Sequence, residues 1–204
     1  MAEMAKSAGP SHASNGRLAH NWWAVGLRGM AALLFVVALM VLPPPTLASL
    51  VVAFAAYLAA DGVFAFAAGF WRGSSREARS PLLIFEGAIN IAIAGAVLAW
   101  QSVAIVPFFR VASLWAVLTG AMLLAAAHRL AHRQGRPLLL GAAATSIFWG
   151  LLVALNGPLA ETTLSISTSW LVAYALLFGL TLLSLAALLR NRHLESFMTD
   201  TDKS

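Results

Sequence analysis

The chain has no cysteine, which removes disulfides, thiolate metal sites and cysteine nucleophiles together. Charge is scarce as well. Asp, Glu, Lys and Arg make up 10% of the 204 residues, against 60% hydrophobic. A soluble domain usually carries about 25% charged residues, so this balance excludes an ordinary soluble protein and puts most of the chain in a membrane. The apolar runs also lack histidine, because all five fall in tails or loops. A membrane-embedded Ser–His–acid arrangement therefore has no base, and no phosphate-binding glycine loop is present. No catalytic residue, metal or cofactor is assigned, and the chain reads as a non-enzyme. His128 and His132 are four apart, a spacing that would share a face if the segment were helical. Their segment HRLAHRQGR supplies no third ligand, so they read as part of a basic loop.

What is present is a set of six long apolar runs, at Trp22 to Leu42, Thr46 to Trp71, Pro81 to Trp100, Val103 to Ala127, Leu138 to Leu155 and Trp170 to Leu189. A helix of 20 residues spans about 30 Å, the thickness of a bilayer's hydrocarbon core. Pro43-Pro44-Pro45 and Asn156-Gly157-Pro158 are turn signals that end the first and fifth runs. The first run starts too late, and is too long, for a cleaved signal peptide, so it reads as a retained helix. Residues 1–20 and 191–204 read as polar tails.

The formal charge of +5 points to lipid rather than nucleic acid, because the basic residues flank the apolar runs. Apart from Arg28 and Arg110, every Lys and Arg falls in the tails or in the two basic loops around RGSSREARS and HRLAHRQGR. The other three connections carry none. This bias predicts a membrane protein with both termini in the cytoplasm and anionic lipids as neighbours on that face. Arg110 reads as a snorkelling residue near the outer interface, and most of the seven tryptophans as interfacial anchors.

The runs repeat in pairs. The second helix of each pair contains an aromatic residue, four further positions, then glycine: Tyr57 to Gly62 (YLAADG), Trp115 to Gly120 (WAVLTG) and Tyr174 to Gly179 (YALLFG). Arg28-Gly29 and Glu86-Gly87 recur at the same period in the first helices. Self-similarity at a fixed period signals a repeated unit. The predicted fold is an all-α membrane protein whose six transmembrane helices form three parallel-repeat hairpins, at 21–72, 81–128 and 137–190. Gly62, Gly120 and Gly179 should mark equivalent close approaches to a neighbouring helix.

The candidate site is the intramembrane charge cluster Arg28, Asp61 and Glu86, with Tyr57, Asn90 and Thr119 as polar neighbours. Each charge inside a span costs about 2.5–3.5 kcal/mol on insertion scales, so these groups should face protein. Counting 1.5 Å per residue, Arg28 and Glu86 lie about 8–9 Å from the inner helix ends and Asp61 about 15 Å. Arg28 should therefore bridge to Glu86, Asp61 or both. A structural pair that fixes register and an ion or proton pathway both use such residues.

The segments NWWAVGLRG, AAYLAADG and LLIFEG, the prolines after the first span and the three-hairpin plan resemble the HdeD family of bacterial inner-membrane proteins associated with acid resistance. The resemblance implies a non-enzymatic role in acid or envelope stress resistance. It departs in the third hairpin, where LLLGAAATS has no charge at the Arg28 or Glu86 position. A small transporter or proton-conducting channel using Asp61 and Glu86 remains open. So does a membrane scaffold or assembly subunit that docks on a second copy or another membrane protein.

Overall fold

The computed structural model describes residues 22–41, 46–70, 81–100, 104–129, 135–156 and 164–201. Its elements are six helices: α1 (Trp22–Val41), α2 (Leu47–Phe70), α3 (Pro81–Ala99), α4 (Ile105–Arg129), α5 (Arg136–Asn156) and α6 (Leu164–Thr201). There is no strand among the described residues. Each helix is long and apolar enough to cross a membrane, so this is an all-α, multi-pass membrane protein.

The helix starts follow local chemistry. Pro81, Pro107 and Pro137 occupy the first turns of α3, α4 and α5, where a missing N–H costs nothing because that group has no intrahelical partner. At α2, Ser49 N donates to Thr46 Oγ1 at 3.1 Å while Thr46 N donates to Ser49 Oγ at 3.0 Å. This reciprocal pair satisfies two backbone donors at once. The largest departure from the sequence expectation is α6. It begins six residues before Trp170 and continues to Thr201, through eleven residues read as tail. No glycine or proline follows Gly179, so nothing in the backbone stops the helix. The two basic loops, the N-terminal tail and the last three residues lie largely outside the described residues.

The helices form a closed ring in chain order, and the strength of packing alternates around it. The broad contacts are α2 with α3, α4 with α5, and α6 with α1; the pairs within each hairpin touch less, and α3 with α4 least. The repeat unit in the sequence is thus a hairpin, but the tight unit in space joins one hairpin to the next. Glycines set these tight seams. A methyl group placed on Gly62 would lie 2.9 Å from the Gly87 carbonyl oxygen, on Gly120 2.9 Å from that of Ala143, and on Gly179 3.1 Å from that of Gly29. Three repeats of one contact relate Gly29, Gly87 and Ala143 as equivalent first-helix positions. Closure is reinforced at one end, where the Arg190 guanidinium lies over the Trp22 ring at 5.5 Å.

The centre of the ring is filled with side chains. Because the repeated aromatic and glycine are five residues apart, they point about 140° away from each other on the helix. Glycine takes the seam and the aromatic takes the axis. Tyr57 and Trp115 meet edge to face with centroids 5.6 Å apart, and Trp115 meets Tyr174 at 6.3 Å. Phe54 packs on Trp115 at 5.5 Å and on Phe108 at 5.4 Å. All five rings are buried.

Candidate functional site: a buried charge network

Arg28, Asp61 and Glu86 come together in the half of the bundle where α1, α3 and α5 begin, and all three are buried. Arg28 Nε donates to Asp61 Oδ1 at 2.7 Å and Nη2 donates to Asp61 Oδ2 at 3.1 Å. Two parallel bonds of this kind are the strong, geometrically specific form of an ion pair. Arg28 Nη2 also donates to Glu86 Oε1. Arg28 therefore holds both carboxylates, but the bidentate partner is Asp61.

The network runs further. Asn90 Nδ2 donates to Asp61 Oδ2 at 2.6 Å, and Trp115 Nε1 donates to Asn90 Oδ1 at 3.0 Å. Glu86, Arg28, Asp61, Asn90 and Trp115 thus form one chain of hydrogen bonds through α1, α2, α3 and α4. The last link matters mechanically because α3 and α4 otherwise make little contact. A second link, Ser146 with Tyr174 at 3.0 Å, joins α5 to α6. Buried polar groups are costly unless they are bonded, and the placements on facing helices provide those bonds.

Of the polar neighbours expected from sequence, Asn90 is inside the network. Tyr57 joins through its ring, stacked on Phe35 at 5.3 Å and edge-on to Trp115. Thr119 is fully buried, and its hydroxyl has no hydrogen-bond partner among the described residues. Gly62, Gly120 and Gly179 lie on the three seams. Trp115 was legible only as part of the aromatic–glycine repeat. Its role as a hydrogen-bond donor has no signal in sequence, since an indole on an apolar helix reads as packing. Arg110 is exposed on α4 and takes no part.

The repeat explains why there is one such centre and not three. The residues just before Gly29, Gly87 and Ala143 are Arg28, Glu86 and Ala142. Ala142 is buried where its two equivalents carry charge. Likewise Asp61 corresponds to Thr119 and Phe178, each one position before its seam glycine. The three slots around the axis have diverged into a polar side and an apolar side.

Among the described residues, no group of three or more His, Cys, Asp or Glu side chains is placed to hold a metal ion. His128 is exposed at the end of α4, and His132 lies outside the described residues. No curated protein and no solved structure matches the chain. Residues 27–99, less than half of the 204 but including Arg28, Asp61, Glu86 and Asn90, are similar to a family described as a short repeat of unknown function (DUF308).

Proposed function

We propose that this multi-pass protein resides in a bacterial inner membrane with both termini in the cytoplasm, and contributes there, as a non-enzymatic component of HdeD type, to acid or envelope stress resistance. The observation that supports the non-enzymatic part is how fully the charged residues and Asn90 engage one another. Arg28 is bound to both carboxylates, and Asn90 uses its amide on Asp61 and its carbonyl on Trp115. Such a network locks helix register, a well-attested use of buried polar groups. The stress role is supported by the sequence resemblance and by the DUF308 match, a repeat that occurs in HdeD-like membrane proteins. Anionic lipids at the cytoplasmic face suit the basic loops, and the exposed apolar faces leave room for a second copy or another membrane protein. The test is survival of an acid challenge by a bacterial host lacking its own copy, with and without this chain. Equal survival overturns the stress reading.

A second reading, a small transporter or proton-conducting channel, is favoured by one specific feature. Arg28 supplies one positive charge and Asp61 and Glu86 supply two negative ones, so the buried centre has room for one more cation or proton. Liposomes containing the purified protein and a pH-sensitive dye separate the readings. Dye response above that of empty liposomes supports conduction, and none supports the locked bundle.

A further inference from the structure

A partly open cavity of about 110 Å³ sits at the end of the bundle where α1, α3 and α5 begin. Leu83, Leu123, Leu139 and Leu182, from four different helices, form its walls, and its polar end is Arg28 with Glu86. The rest of the lining is apolar. Such a space suits water poorly, because a buried water typically makes about three hydrogen bonds and only one end of this cavity offers any. It suits a molecule with a hydrocarbon body and a single polar head.

The charge balance selects the head. Among the described residues the only buried charged side chains are Arg28, Asp61 and Glu86, one positive and two negative. A cation at the open end of the cluster completes the balance, and an anion worsens it. Volume sets the body. A cavity of about 150 Å³ takes benzene, so about 110 Å³ holds roughly four or five non-hydrogen atoms.

We propose that this cavity is a binding site for a small alkylammonium ion, with its ammonium group on the Glu86 carboxylate and its alkyl chain among the leucines. The site rests on the cavity and the charge count, and stands whether or not the protein acts in stress resistance.

The probe is n-propylammonium chloride added to the purified protein in nanodiscs at constant ionic strength, with dissociation constants taken from the concentration dependence of the melting midpoint. n-Propanol and propionate serve as neutral and anionic counterparts. Propylammonium should bind at least about tenfold more tightly than propanol, and propionate more weakly than either. Equal binding of propanol, tighter binding of propionate or no saturable effect overturns the proposal. Ala126→Phe and Leu182→Trp fill the cavity without touching the charges, and each should weaken propylammonium by about tenfold or more. Unchanged affinity in a folded variant places binding elsewhere and overturns the site. Nuclear Overhauser contacts from the propyl protons to methyl groups of Leu123, Leu139 or Leu182 locate the ligand in the unmodified protein. Saturable binding without them also overturns it.

Discussion

The three charged residues make unequal demands on the bundle, and this can be measured by removing them one at a time. Arg28→Ala deletes the only buried cation among the described residues and leaves two carboxylates facing each other, with three hydrogen bonds lost. Breaking one buried pair costs about 3–5 kcal/mol. With two stranded partners the loss should sit at the top of that range. Asp61→Asn keeps the shape and balances the charge at one positive and one negative, but it spoils the geometry. Asp61 accepts from Arg28 Nε, Arg28 Nη2 and Asn90 Nδ2, whereas an amide has one oxygen and an NH₂ that must face a donor. An unsatisfied buried group costs about 1–3 kcal/mol, so a loss of about 2–3 kcal/mol is expected. Glu86→Gln also balances the charge, and its carbonyl can keep the single bond from Arg28, so the cost should be below about 1 kcal/mol. Unfolding by sodium dodecyl sulfate in mixed micelles, followed by circular dichroism, gives the order. If Glu86→Gln costs as much as Asp61→Asn, or Arg28→Ala costs under about 1 kcal/mol, Asp61 is not the hub of a tightly coupled network.

Trp115→Phe should cost about 1–3 kcal/mol in the same assay by leaving the Asn90 carbonyl unpaired; no change means that bond does not tie α4 to α3. At the seams, Gly87→Ala should lower the melting midpoint strongly, since its methyl would lie 2.6 Å from the Gly62 carbonyl oxygen and 2.8 Å from Phe66 N. Gly95→Ala, with nothing within 4 Å, should leave it unchanged or raise it through better helix propensity; similar losses at both sites would remove the argument for close approach. Cysteines introduced at Thr46 and Ala104 should react with an impermeant maleimide added outside the cell, and one at Gly135 only after permeabilisation. Labelling of all three from outside contradicts the hairpin plan.

Much of this architecture was legible in the sequence because lipid imposes blunt rules. Apolar runs long enough to span gave five helices to within about two residues at each end, the usual uncertainty of helix boundaries. The aromatic–glycine spacing identified equivalent positions, and the depth of Arg28, Asp61 and Glu86 brought them within reach of each other. What a repeat cannot supply is adjacency. Equivalence says that Gly62, Gly120 and Gly179 do the same job, but not that each does it against the following hairpin. The hierarchy within the cluster was hidden for a similar reason. Arg28 and Glu86 share a repeat position, which drew attention to that pair, whereas the bidentate geometry on Asp61 depends on how α1 and α2 cross. The length of α6 was missed because composition was read as polarity, although a polar helix with no breaker simply continues.

The seams also bear on how such a chain arises. A single hairpin leaves the glycine face of its second helix uncovered, and three identical hairpins would satisfy one another in a symmetric trimer. In that trimer, however, one residue type would occupy all three copies of the Arg28 position, and three like charges would crowd a single axis. Joining the hairpins in one polypeptide frees each copy to change alone, so arginine, glutamate and alanine can stand at corresponding places. The opposed charges at the heart of this bundle are therefore a property that covalent fusion permits and exact symmetry forbids.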